Sequence, residues 1–175
     1  MGRSDERCAP RAAPDGLVTM DTRLQLTFDP MWLNVRRIRQ SVSTALEARG
    51  AGLRNAAMMT ASELVENAIK YGESVPGAET VLFSLEATPT VCRIRVVNGS
   101  TNATGVAELR RRVDELARAQ DKQTLYMARL EQLLANAEES GMLGVYRIGF
   151  EGGFELACDY TNNVVTVTAT RNTDV

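Results

Sequence analysis

Two closely spaced pairs of strand-like runs limit what this chain can fold into. Thr80–Ala87 and Val91–Val97 are separated only by Thr88-Pro89-Thr90, and Phe154–Tyr160 and Val164–Thr170 only by Thr161-Asn162-Asn163. The runs alternate or are rich in β-branched residues, so each pair reads as a hairpin. A lone run, residues 22–28, places Leu24, Leu26 and Phe28 on one face of a half-buried strand. Everything between these runs has helical periodicity.

Asp29-Pro30 opens the first helix, with Asp as cap and Pro at the first position. Trp32, Val35, Ile38, Val42 and Leu46 form its apolar side, and Gly50 and Gly52 end it. A second helix runs from about Leu53 to Tyr71, followed by a loop from Gly72 to Gly77. After the first hairpin, Asn98-Gly99-Ser100-Thr101-Asn102 breaks the strand pattern. A long helical insert then spans about 105–140, carrying Leu109, Val113, Leu116, Leu125, Leu130, Leu133 and Leu134, with a break near Ala119 to Lys122. Gly141 and Gly144 interrupt it, Val145–Phe150 is a short helix, and Gly152-Gly153 leads into the second hairpin. The order predicts an α+β two-layer sandwich, a mixed sheet with helices on one face. Residues 1–20 are polar with Pro and Arg and read as a disordered tail, leaving one domain over 21–175.

The second helix carries the chemistry. Glu63, Asn67 and Lys70 recur at intervals of four and three and share one flank, while Leu64, Ala68 and Tyr71 share the apolar one. A carboxylate, a carboxamide and an ammonium in one row can hold a hydrated Mg²⁺ and a phosphate chain. Mg²⁺ takes oxygen ligands and keeps waters. A nearby Glu can orient or deprotonate an attacking group, and Lys supplies a point charge for phosphate. The same spacing also fits an ordinary amphipathic helix with a solvated polar face.

Glu63, Asn67, Ala68, Lys70 and Tyr71 reproduce the E-x-x-x-N-A-x-K-Y box of the GHKL superfamily of ATP-binding domains, which this chain resembles over residues 22–171. Its length looks most like the anti-sigma-factor serine/threonine kinases of bacterial partner switching, and the long helical insert in place of the ATP lid looks like the SiaB-like regulators. The resemblance implies that Asn67 coordinates Mg²⁺, that Glu63 is the catalytic acid, and that Lys70 and Tyr71 belong to the ATP site. Two departures stand out. Asn98-Gly99 replaces the family's Asp-x-Gly-x-Gly, so Asn98 would accept from adenine without a charge, or the pair is simply a turn. Gly141-Met142-Leu143-Gly144 replaces the second glycine box, with bulky residues where small ones cradle phosphates.

What the composition excludes narrows the function. The chain has 175 residues and no histidine, which removes His bases and His phosphoacceptors. Cys8, Cys92 and Cys158 form no C-x-x-C pattern, which fits a reducing compartment without zinc. The net charge is −2, and the one basic run, Arg110-Arg111-Arg112, meets Asp114 and Glu115, so no nucleic-acid surface is expected. No segment is apolar enough to span a membrane, and a cytoplasmic location is expected. Leu125, Tyr126 and Met127 either bury in the core or meet a partner helix. Two functions follow: an ATP- and Mg²⁺-dependent serine/threonine protein kinase acting on a small STAS-like antagonist protein, with a homodimer as its assembly, or a catalytically inactive GHKL-fold adaptor that binds protein.

Overall fold

The computed structural model describes residues 21–136 and 143–173. The proposed tail 1–20 and Gly141 lie outside the described residues. In chain order the elements are β1 (Thr22–Phe28), α1 (Leu33–Ala45), α2 (Ala51–Tyr71), β2 (Val81–Ala87), β3 (Val91–Gly99), α3 (Ala103–Arg118), α4 (Lys122–Ala135), α5 (Leu143–Phe150), β4 (Glu155–Thr161) and β5 (Val164–Asn172). The strands form one sheet in the order β1-β2-β3-β5-β4.

Both hairpins form where the sequence places them. Asn162 and Asn163 turn the second one with φ of 53° and 62°, the left-handed pair that matches strand twist in a two-residue turn. The expected mixed sheet is corrected: every hydrogen-bonded pair is antiparallel. The helical crossover after β3 delivers β4 to the sheet edge, and β5 folds back between them. The would-be parallel partners, β3 and β4, therefore never touch.

The inward row of the sheet, with Phe83, Leu85, Ile94, Val96, Val167 and Ala169, is buried against the helices. The outward row pairs Arg23 with Glu86, Glu86 with Arg93 and Arg93 with Thr170, and carries the polar residues. Ile38, Val42 and Leu46 of the α1 segment pack with Ala57, Ala61, Leu64, Val65 and Ala68 of α2 in the main core. Small residues on α2 let the two helices approach.

Three local expectations are corrected here. α1 begins at Leu33 rather than at Pro30, because Asp29 serves as a turn acceptor: its carbonyl receives Met31 N at 2.7 Å and Asn34 Nδ2 at 2.8 Å. That buries Asn34 and turns Trp32 outward at 55% exposure. β3 also runs through Asn98 and Gly99, which pair with Val165 and Val164 instead of forming a turn. Gly50 starts α2 as its N-cap, and Gly52 lies within that helix.

The insert is two helices broken where Ala119–Asp121 separates them. A second, smaller core of Val113, Leu116, Val145 and Tyr146, flanked by Leu125 and Tyr126, ties it to α5. The buried Tyr146 hydroxyl donates to Glu115 Oε2 at 2.7 Å, and Arg129 of α4 pairs with the same carboxylate while its guanidinium lies 5.4 Å from the Tyr146 ring. Burial, then the bond to Glu115, pushes the Tyr146 hydroxyl up to about 12. Asn102 and Asp121 cap α3 and α4 through Gly105 N and Thr124 N. The Arg110–Arg112 run is the solvated face the sequence suggests: Arg111 and Arg112 both pair with Glu108, at 2.7 and 2.8 Å. Of the apolar trio on α4, Leu125 and Tyr126 pack inward and Met127 stays exposed. No helix among the described residues is long and apolar enough to cross a membrane.

Candidate functional site

The polar row of α2 borders an open cleft. Glu63, Glu66, Asn67 and Lys70 form one wall; Leu143, Gly144, Arg147 and Glu151 of the α5 region form the other, and Tyr126 of α4 closes the end. The cleft encloses about 350 Å³. Next to it lies a smaller apolar cavity of about 60 Å³ between α2, the sheet and α3. Leu64, Ala68 and Tyr71 line it from α2, Val96, Asn98, Val165 and Val167 from the sheet, and Val106, Leu109 and Val113 from α3. Among the described residues, Asn67 alone borders both spaces. The helix thus places a carboxamide at the junction of an apolar slot and a charged cleft.

Arg147 engages two of the cleft's carboxylates. Arg147 Nη1 donates to Glu63 Oε1 at 3.1 Å, and Arg147 Nε donates to Glu151 Oε2 at 2.9 Å. The bond to Glu151, with a further contribution from Glu63, raises the Arg147 pKa above its usual value. The second Glu63 oxygen lies against α5: a Cβ added to Gly144 would come within 2.2 Å of Glu63 Oε2. Gly144 therefore serves the close approach of α5 to α2. The Lys70 ammonium sits 5.8 Å from the Trp32 ring, a cation–π distance that holds it at the α1 side of the cleft. Among the described residues, three carboxylates (Glu63, Glu66, Glu151) face two cations (Lys70, Arg147), an excess of one negative charge.

Asn98 is buried at the end of the apolar cavity. Its Nδ2 donates to the Gly99 carbonyl at 3.0 Å, and its side-chain oxygen can only accept. Gly99 itself backs the loop that follows α2. A Cβ there would lie 2.4 Å from the Glu73 carbonyl oxygen and 2.5 Å from Val75 Cγ2. Glu73 clips that loop down: its N–H donates to the Gly99 carbonyl at 2.8 Å, and its carboxylate accepts from the Thr101 N–H at 2.9 Å and from the Thr101 hydroxyl. These two bonds, the hydroxyl's first, hold the Glu73 carboxyl below the usual range.

The structure thus brings Glu63, Asn67, Lys70 and Gly144 to one cleft and Asn67, Tyr71 and Asn98 to the adjoining cavity, with Gly99 directly behind it. Sequence reasoning missed Arg147, Ser100 and Asn102. The Asn102-x-x-Gly105 cap preceding a helix was a readable signal for the last of these; Arg147 gave none, because its partner Glu63 is 84 residues away.

The donor set fits a nucleotide's phosphates better than a resident metal. Among the described residues no group of His, Cys, Asp and Glu side chains could hold a metal ion. One carboxamide with Lys and Arg nearby suits Mg²⁺ that arrives on phosphates and keeps waters. The apolar cavity, at about 60 Å³, is smaller than the ~300 Å³ at which small-molecule pockets begin.

No protein-family model matches this chain, and no curated protein does. Solved structures do. The crystal structure of the SiaB–SiaC complex from Pseudomonas aeruginosa contains a chain that superposes with a TM-score of 0.64 at 15% identity, over 85% of this chain and 89% of that one. The two chains share a fold. The RsbU and RsbW domains of Rv1364c from Mycobacterium tuberculosis align with a TM-score of 0.48 at 15% identity, over 86% of this chain and 32% of that one.

Proposed function

We propose that this chain is a signalling regulator of the partner-switching type, a serine/threonine protein kinase that binds Mg·ATP between α2 and the helical insert. The observation that carries the reading is the position of Asn67, shared by the apolar cavity and the charged cleft. Asn67 would be the protein ligand to Mg²⁺, Lys70 would face phosphate charge, Asn98 would accept from the base, and Glu63 would orient or deprotonate an acceptor hydroxyl. Mg·ATP supplies the transferable phosphoryl group; the chain's part is positioning and charge neutralisation, which is most of what phosphoryl transfer asks of a protein. The cleft's excess negative charge favours the metal complex over the bare nucleotide. The partner would be a small antagonist protein, STAS-like in the kinase reading. The solved structure of like fold is itself a complex of two proteins, SiaB and SiaC, which supports a protein partner here.

A second reading has its own observation. The apolar cavity is closed down by Val106, Leu109 and Val113, and Glu63 is held by Arg147. A chain that stays in this arrangement is a protein-binding adaptor without catalysis. Thermal unfolding with and without Mg·ATP separates the two. Saturating ligand at a hundredfold excess over Kd stabilises the folded state by about 2.7 kcal/mol. The kinase reading expects that shift in the wild type and its loss in Asn67→Ala; no shift at millimolar Mg·ATP supports the adaptor.

A further inference from the structure

The Arg147–Glu63 pair is unexplained by the site as described. It joins a helix of the second core to the acid on α2, across the mouth of the cleft. Arg147 is 43% exposed at its side chain and Glu63 21%, so the guanidinium borders the open space rather than filling a core. One Glu63 oxygen, Oε1, is taken by Arg147, while Oε2 lies beside Gly144, where an added Cβ would meet it at 2.2 Å. The ion pair draws the carboxylate toward α5 and spends its charge on a guanidinium rather than on an acceptor hydroxyl. The other cation of the cleft, Lys70, is drawn to Trp32. A planar guanidinium is also the side chain best matched to phosphate oxygens, which it binds bidentately.

We propose that Arg147 is an exchangeable latch: it holds Glu63 out of action in the empty site and transfers to the terminal phosphate of the nucleotide, which releases the carboxylate. One guanidinium then couples occupancy of the cleft to availability of the acid. The exchange is of ionic partners only; no covalent bond forms or breaks. Glu151 keeps Arg147 near the cleft throughout, through its bond to Nε, and leaves the Nη groups to change partner. This inference rests on the nucleotide reading above.

The test is a double-mutant cycle read by calorimetry, with ATP and ADP titrated at fixed Mg²⁺ into wild type, Glu63→Gln, Arg147→Met and the double variant. Breaking the latch removes a cost of binding. An exposed pair of this kind corresponds to up to about a fivefold change, so Glu63→Gln tightens ATP by about threefold to fivefold. Arg147→Met weakens ATP by about tenfold and ADP by much less, since the lost contact is to the terminal phosphate. Arg147→Lys recovers part of the ATP preference. In the Arg147→Met background, Glu63→Gln leaves ATP affinity within about twofold.

An equal gain from Glu63→Gln in both backgrounds would report simple charge repulsion and overturn the latch. So would equal losses of ATP and ADP in Arg147→Met. Either result leaves the nucleotide reading intact, because the wild type still binds. Absence of saturable binding by the wild type overturns the nucleotide reading and the latch together. Unfolding midpoints of the empty variants within a few degrees of wild type show that each is folded.

Discussion

Replacing Tyr146 by Phe isolates the bond that fastens the helical insert beside the site. The ring keeps its packing with Val113, Leu116 and Val145, and only the 2.7 Å hydrogen bond to Glu115 is lost. Hydrogen bonds to charged groups contribute ~1.5–3 kcal/mol. Glu115 retains Arg129 and Arg111, so no buried carboxylate is orphaned and the lower end applies, ~1.5 kcal/mol at pH 8. For a domain of this size that is roughly 3–6 °C in Tm. The pH dependence makes the test sharper. Tyr146 titrates near 10 in the unfolded chain and at about 12 in the folded one, so the native state holds its proton longer. Its stabilisation is complete below the unfolded value and is lost as pH rises through the folded one. By pH 11 the wild type has given up ~1.4 kcal/mol that the Phe variant never had. Cys92 and Cys158, pushed up to about 11 by burial, titrate in the same range but are common to both proteins and cancel in the difference. Urea unfolding at pH 8 and pH 11 should therefore show the gap between wild type and Tyr146→Phe shrink nearly to zero. A gap that stays constant with pH, or a variant at least as stable as wild type at pH 8, would refute the placement of that hydroxyl.

Three further outcomes follow from the packing. Gly99→Ala forces a Cβ to within 2.4 Å of a backbone oxygen, and should cost about 3 kcal/mol in urea unfolding as the loop after α2 lifts from β3. Gly149→Ala places a methyl 2.6 Å from both Leu116 methyls; overpacking of ~1–3 kcal/mol outweighs the ~1 kcal/mol gain in helix propensity. In a Leu116→Ala background, where the obstacle is gone, the same change should turn stabilising by ~1 kcal/mol, and thermal unfolding of the four proteins reads the sign reversal. On the acid side, Glu108 is held down to about 2 by Arg111 and then Arg112, so the stability it lends is present above the unfolded carboxylate value and fades as pH falls through the folded one. Glu108→Gln should flatten that part of the acid unfolding profile.

Most of the architecture was legible because it is periodic and local. The two hairpins, the α2 row of Glu63, Asn67 and Lys70, and the break in the insert all follow from spacing of side chains along a short stretch. What escaped was set by distant neighbours. Asn98-Gly99 has turn chemistry, but nine residues of pairing between β3 and β5 extend the strand through it. Asp29-Pro30 has the signature of a helix start, yet the Asn34 side chain and the Met31 N–H capture the Asp29 carbonyl and delay the helix. The sheet reads as mixed from element order alone, because order does not say which edge a crossover reaches. In the candidate site, the α2 residues and Asn98 that line the cleft and the cavity could be singled out by type and spacing. Arg147 was not, since its meaning depends on α5 lying against α2, an approach that Gly144 permits.

The most direct measurement is a calorimetric titration of Mg·ATP into the wild type and Asn67→Ala. The account predicts saturable binding by the wild type, dependent on Mg²⁺, and its loss in Asn67→Ala at an unchanged unfolding midpoint. Binding that persists equally in the variant would contradict the placement of the nucleotide at Asn67. No binding by the wild type at millimolar Mg·ATP would contradict the kinase reading as a whole.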